Sequence, residues 1–572
     1  MEGRFTVRKQ QHKLLLDTVL LGIVGALSAR VFVFLLKLCQ TLFLGWLAGY
    51  HAPVLSSAGG MGAPALNPHG PWLIPLATTL GGLLAGALVY TFAPEAEGHG
   101  TDAVVNAFHN LAGIIRARVP FVKLIASAIT IGSGGSAGRE GPTALISAGI
   151  GSVYAVKRRR SEEETRLLML VGMAAGLSAI FRSPIGTAIF AIEVLYSEME
   201  FEAGALVFTM LGSIVAYAVN GFFVGFRPLF DVPSKLAAPG VADYGWYVVL
   251  GAACGLVATI LPMVFYSVRD LFRLLPCPAQ LKPAIGGLGV GLAALLLPQL
   301  LGGGYEWIQA AIDGRLVGTL LLFLCFGKIL TFALTIGSGG SGGVFAPSLF
   351  TGAMLGGFLS QVFHQPPAAF AVVGMAAVFG AAARVPIATL LMVTEMTGGY
   401  HLLVPAALAV MLSSWVQNLL SASLKYKSLY EAQVPSRPYS PSHYLEQLRI
   451  ALELLNTHGV SNAAKGRGLE LVSLLASGVP VTLPDHEQIR IGVLRAGSAW
   501  VGQAVPPVNG VEFILVLRSN RVLFPHPGLT LEAGDQLVAV APQPAWAGLR
   551  EHLDSVAKTH PQPMSRVAKA AR

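Results

Sequence analysis

Ile131-Gly-Ser-Gly-Gly-Ser-Ala-Gly-Arg-Glu-Gly-Pro142 returns in altered form as Ile336-Gly-Ser-Gly-Gly-Ser-Gly-Gly-Val-Phe-Ala-Pro347, 205 residues later (336 − 131 = 205). Aligned without gaps, the copies agree at eight of twelve positions. A second pair follows. Val171-Gly-Met-Ala-Ala with Arg182, Pro184 and Glu193 is matched by Val373-Gly-Met-Ala-Ala with Arg384, Pro386 and Glu395 (373 − 171 = 202). Two motif pairs at nearly one offset mark a duplicated unit. In a membrane-spanning chain, such duplication points to a site where two half-repeats meet.

The composition requires a membrane. Hydrophobic residues make up 53% of the chain and charged residues 12%, with a mean hydropathy of +0.63. Soluble domains carry about 25% charged residues. Runs long enough to span occur at Leu14–Leu38, Leu73–Phe92, Ala205–Val224, Tyr247–Phe265 and Gly318–Thr335. Shorter pieces broken by Gly and Pro lie at Phe121–Ile131, Thr143–Val156, Leu167–Ile180, Ile185–Leu195, Ser348–Val362, Phe370–Phe379 and Ile387–Val393. They read as helices that stop partway through the membrane, where irregular backbone must line a cavity or be buried. Roughly seven apolar segments separate the two glycine-rich copies, and an odd number inverts the second copy relative to the first.

Basic clusters at Arg4, Arg8, Lys9 and Lys13, at Lys157–Arg160, and at Arg269, Arg273 and Lys282 place those loops and both termini in the cytoplasm by the positive-inside rule. The first apolar run is too long for a signal peptide and lacks a small-residue cleavage site. The net charge of +9 is then a topology signal, and nucleic-acid binding is excluded because no basic stripe is interleaved with aromatics. Cys39, Cys254, Cys277 and Cys325 form neither a disulfide framework nor a metal spacing. No metal and no cofactor is expected. The common hydrolase motifs are missing too, so the chain reads as a non-enzyme.

The fold class read from this pattern is an all-α polytopic membrane protein with a small α+β cytosolic domain at the C-terminus. Residues 1–430 form the membrane unit, with repeats at roughly 70–230 and 280–430. Residues 431–490 hold a Pro/Ser linker (Pro435–Pro441) and a helical segment (Tyr444–Leu455). Residues 491–572 carry a hairpin, Ile514–Arg518 turned at Ser519-Asn520 into Arg521–Phe524, then a strand at Gln536–Val540 and a basic tail at Ser565–Arg572.

Both glycine-rich copies end at a helix start, with Pro142 and Pro347 where a helix accepts a residue lacking N–H. Glycines let backbone amides be approached closely, and each helix N-terminus adds about half a positive charge. Two such ends brought together fit an anion. Small-residue spacing also serves simple helix packing, but packing needs neither Pro nor Arg139-Glu140. A carboxylate at membrane depth marks a functional site. Glu140 can occupy the anion's place when ionised and leave when protonated, which makes it a gate and a proton carrier; the plain alternative is a salt bridge to Arg139. A third cluster, Glu97-Gly98-His99-Gly100-Thr101-Asp102, also precedes a helical run. There His99 can donate to an anion, titrate near neutral pH, or serve structure alone.

Together these pieces resemble the CLC family of chloride channels and chloride/proton exchangers, over roughly Leu14–Tyr430. The resemblance implies an inverted repeat of tilted, broken helices with chloride as the transported ion. Gly138-Arg139-Glu140-Gly141-Pro142 matches the family's gating motif, which makes Glu140 the gate. Gly343-Val-Phe-Ala-Pro347 matches the motif whose amides, here of Val344 and Phe345, ligate chloride. Ser428-Leu-Tyr-Glu431 matches the segment with the chloride-coordinating tyrosine, Tyr430. The family's Gly-Ser-Gly-x-Pro motif reads Gly98-His99-Gly100-Thr101-Asp102 here, so His99 and Gly100 stand at the central anion site with histidine in place of serine. The internal proton-carrying glutamate of the exchangers falls at Val194, as in the family's channels. Glu193 does not replace it, because Glu395 matches it in the other repeat and both read as helix caps.

On that basis the sequence favours a passive anion channel gated by Glu140, with a chloride/proton antiporter as the alternative. The resemblance further implies a homodimer in the plasma (inner) membrane, with chloride and other small anions as ligands and lipid as solvent. Val493–Pro542 resembles the C-terminal lobe of regulatory domains on bacterial potassium-uptake systems, which implies an unidentified cytosolic ligand.

Overall fold

The computed structural model describes residues 2–51, 53, 65–66, 72–233, 240–241, 243–437, 440, 481–482 and most of 487–555. The Tyr444–Leu455 helix, the Ser519-Asn520 turn and the Ser565–Arg572 tail lie outside the described residues. The chain divides into two units, Met1–Tyr439 and Ser440–Arg572.

The first unit is helical. Its first half runs α1 (Glu2–Gln40), α2 (Leu73–Phe92), α3 (Thr101–Asn110), α4 (Arg118–Gly132), α5 (Glu140–Lys157), α6 (Glu162–Phe181), α7 (Pro184–Glu193) and α8 (Leu206–Val224). The second half repeats that order as α9 (Asp243–Leu274), α10 (Lys282–Leu296), α11 (Tyr305–Ile312), α12 (Leu320–Gly337), α13 (Phe345–Val362), α14 (Pro367–Ala382), α15 (Pro386–Thr397) and α16 (Leu403–Ser421). Packing repeats as well. α5 lies on α6 as α13 lies on α14, and α1 meets α6 and α8 as α9 meets α14 and α16. Between halves, α2 packs on α10 and α7 on α15.

Eight helical segments among the described residues are long and apolar enough to cross a membrane. Others stop short, such as α7 with 10 residues and α15 with 12. α10 and α16 were not among the runs picked out from sequence. Gly286, Gly287, Gly289 and Gly291 thin the first, and buried Ser413, Ser414 and Gln417 interrupt the second.

Polar contacts between the halves are reciprocal. Glu193, the last residue of α7, accepts hydrogen bonds from the Ile387 and Ala388 amides at the start of α15 (3.2 and 2.6 Å). Glu395, in α15, accepts from the Ile185 and Gly186 amides at the start of α7 (3.1 and 2.9 Å) and from the Ser183 hydroxyl (2.5 Å). Each carboxylate satisfies otherwise unpaired N–H groups of a helix start. The glycine-rich copies meet directly, the Gly138 amide donating to the Gly343 carbonyl at 2.8 Å in an antiparallel bridge.

A third repeated pair supports the loops ahead of α3 and α11. The fully buried Lys123 ammonium donates to the Ala96 and Gly98 carbonyls (3.0 and 2.7 Å). Lys328, 205 residues on (328 − 123 = 205), donates to those of Leu300 and Gly302 (3.0 and 2.7 Å). Each charge is thus spent on two carbonyls of a loop that would otherwise be buried unpaired.

The second unit is a six-stranded antiparallel sheet. Its main path is Val481–Thr482, Glu487–Leu494, Gln536–Pro542, Glu512–Arg518 and Arg521–Leu523, with Leu553–Ser555 pairing beside Glu487–Leu494. The expected hairpin is present, with Val516 opposite Leu523 and Arg518 opposite Arg521. A helix, Gln543–Leu549, packs Trp546 and Leu549 onto a core with Leu494, Val516, Leu531 and Leu537. The buried Asp535 carboxylate is paired bidentately by Arg518 (2.8 and 2.7 Å). That pairing, with Glu532, holds the guanidinium above its ordinary pKa.

Candidate functional site

Glycine decides how close three loops can come. A Cβ at Gly141 would overlap the His99 carbonyl oxygen and lie 3.0 Å from the Gly343 Cα. Gly100 takes φ +85°, a left-handed conformation that suits glycine, and a Cβ there would meet the Gly141 carbonyl oxygen at 2.6 Å. The loop before α3 and both glycine-rich copies therefore touch backbone to backbone. The N-termini of α3, α5 and α13 converge as a result, each adding partial positive charge.

Where they meet, Thr101, Glu140, Gly141, Val344, Phe345 and Tyr430 surround a void of about 10 Å³, room for no more than a single water. Phe345 is fixed between Phe181 and Phe379, with ring centroids 4.4 and 4.3 Å away. A cavity of about 190 Å³ opens beside Arg139, Tyr305 and Glu306. Another, of about 570 Å³, is lined by His99, Gly100, Asp102, Arg269 and Glu431.

Glu140 stands in the constriction. Its side chain is 2% exposed, and neither carboxylate oxygen has a hydrogen bond. The amides of Glu140 and Ala346 face it without closing to full hydrogen bonds. Arg139 approaches at 3.8 Å, so the anticipated ion pair exists but is loose. The guanidinium instead lies over the Tyr305 ring, 4.7 Å from its centre. An ionised carboxylate at two helix N-termini occupies the place an anion would take.

Tyr430, 2% exposed, is carried on a strap anchored from several sides. The Tyr266 hydroxyl donates to the Leu429 carbonyl (2.9 Å), the Ala432 amide donates to Asp102 (2.8 Å), and Arg269 pairs with Glu431 (2.6 Å). The His99 ring sits 5.4 Å from that of Tyr430 and 6.2 Å from Phe265.

Glu140, Gly141, Val344, Phe345 and Tyr430 thus share one constriction, while Gly98, His99 and Gly100 line the wider cavity beside it. Gly138 and Gly343 form the bridge beneath, and Pro142 and Pro347 occupy the first turns of α5 and α13. Val194 is wholly buried beyond α7, and its carbonyl accepts from Gln433 (3.1 Å). The sequence reading passed over Thr101 as a lining residue and Lys123 and Asp102 as anchors. The Lys123 signal was legible: Phe121-x-Lys123 recurs as Phe326-x-Lys328 at the same 205-residue offset.

The family model described as "Voltage gated chloride channel" matches residues 81–418, which includes every residue of this site except Tyr430 and the strap that carries it. This chain belongs to the CLC family. The H(+)/Cl(-) exchange transporter ClcA of Salmonella agona is 33% identical over 378 residues, 63% of this chain and 79% of that protein. The transporter of the same name from Salmonella arizonae matches equally. Among solved structures, a slow cyanobacterial Cl-/H+ antiporter aligns with TM-score 0.64 at 22% identity, over 77% of this chain and 98% of that one. A CLC-type fluoride/proton antiporter gives 0.62 at 23%, over 76% and 99%. Both share the CLC fold of the membrane unit.

Proposed function

We propose that this chain exchanges chloride for protons across the membrane, with Glu140 as gate and proton carrier. One observation carries the reading: an unbonded, buried carboxylate stands in a constriction that leaves room for no more than about one water. A freely conducting pore needs a continuous path, whereas here an anion passes only when Glu140 moves aside. Protonation removes the charge that holds the carboxylate against the helix ends, so anion passage and proton binding are linked at one side chain. The relatives at 33% identity carry the name of exchange transporters, which favours exchange over the passive channel preferred from sequence. That preference rested on Val194, which cannot carry a proton; a valine there removes one relay and leaves the Glu140 step intact.

In this reading, chloride is ligated by the Val344 and Phe345 amides and Tyr430, with His99 and Gly100 at the mouth of the wider cavity. Arg269, Arg273 and Lys282 line that cavity, and the positive-inside rule makes it the cytoplasmic one. Vesicles reconstituted with the full chain and given a chloride gradient test the proposal. Protons should move uphill against the chloride flow. Chloride movement with no proton movement favours the channel.

A further inference from the structure

With valine at the internal proton position, protons in the exchange reading reach Glu140 from the wide cavity through water or through another side chain. His99 occupies that place. It lines the cavity, is buried with 7% exposure, and keeps its Nδ1 without a hydrogen-bond partner. Its ring lies against Tyr430, which shares the constriction with Glu140. Beyond Val194 the alternative is poorer. Glu193 is engaged by two amides of α15, and His109 holds the Leu195 carbonyl at 2.9 Å.

We propose that His99 is the proton-loading residue of this exchanger, binding a proton and the central anion together and passing the proton to Glu140. The inference rests on the exchange reading above. In the first step an N–H bond forms at the imidazole as a hydronium ion in the cavity gives up its proton. In the second that N–H breaks and an O–H forms on the Glu140 carboxylate, relayed by a water molecule or the Tyr430 hydroxyl, which accepts one proton as it donates another.

The surroundings couple the proton to the anion. Lys123 from α4 and Arg269 from α9 face His99 with positive charge, and Arg273 from α9 and Lys282 from α10 line the same cavity; Glu97 from its own loop, Asp102 from α3 and Glu431 from the strap are the acids there. Four of these charges are already engaged: Lys123 by two carbonyls, Asp102 by the Ala432 amide, and Arg269 and Glu431 by each other. An anion beside His99 therefore supplies the compensation an imidazolium needs, and the imidazolium strengthens the anion's binding by the same factor. The proton then leaves through Glu140 as the anion leaves toward the wide cavity.

Proton and chloride fluxes measured together in vesicles test this with full-length His99→Ser, His99→Gln and His109→Asn chains. Whatever the change in chloride rate, the proton-to-chloride ratio of both His99 variants should fall about tenfold or more, as when a proton-transferring group is removed. His109→Asn should keep the ratio of the unmodified chain. A carboxylate restored at the second position, His99→Ser/Val194→Glu, should recover proton movement. An unmodified ratio in His99→Ser, or loss of coupling in His109→Asn alone, overturns the inference while leaving exchange in place. No proton movement in the unmodified chain overturns both.

Discussion

The Glu140 carboxylate lies in space that Gly138 leaves open: a side chain on Gly138 would overlap Glu140 Oε2 and crowd the Ala346 amide at 3.1 Å. The seat of the proposed gate thus depends on a missing atom two residues before it. Gly138→Ala should push the carboxylate from its seat between the helix ends. Chloride flux should rise and the proton-to-chloride ratio should fall, both readable in reconstituted vesicles.

Glu140→Gln removes the ionisable group while keeping its size. Chloride transport should then persist without proton movement. Acid favours the neutral, released form of Glu140, so the unmodified chain should transport faster as pH falls and slow as pH rises. In the Gln variant the rate should be flat with pH, as measured by chloride efflux over a series of symmetric pH values.

Glu193→Gln tests the cap at the repeat interface. Amide nitrogen in place of one carboxylate oxygen leaves one of the two α15 N–H groups that Glu193 accepts from unpaired, at a cost of about 1–3 kcal/mol. The detergent-solubilised protein should melt at a lower temperature, while its proton-to-chloride ratio should stay unchanged if Glu193 serves as a helix cap. Glu395→Gln should behave alike at α7.

The repeat was legible because both the glycine-rich segment and the Val-Gly-Met-Ala-Ala segment keep their letters. Glu140 and Tyr430 followed from the residue types that membrane depth and a resemblance made conspicuous. Other parts left weaker marks. Lys123 and Lys328 are single lysines in apolar runs, and only their common offset betrays a shared role. Asp102 stands in the sequence only as a departure from the family motif's proline, yet it accepts from the Ala432 amide across 330 residues of chain. α10 and α16 escaped notice because glycines and buried serines dilute their hydrophobicity, although α2 and α14 cover those faces. Such pairings belong to packing, which no local window contains.

Lys328→Met should free the Leu300 and Gly302 carbonyls, each unpaired acceptor costing about 1–3 kcal/mol. The expected result is a lower unfolding temperature. Lys123→Met should destabilise comparably and also slow transport, since its loop carries His99. Stability and chloride flux measured on both variants separate the two effects.

In the second unit, Arg518→Ala strands the buried Asp535 carboxylate, and breaking a buried pair this way costs about 3–5 kcal/mol. Limited proteolysis of the full chain should then cut within residues 487–555, with the membrane unit left intact.

The central claim is that chloride and proton share one obligatory step at Glu140. Its most direct test is pH recorded in vesicles holding the full chain, with a chloride gradient imposed and no pH gradient at the start. The account predicts uphill proton movement that reverses when the chloride gradient is reversed and vanishes in Glu140→Gln. Dissipation of the chloride gradient at constant internal pH would contradict it.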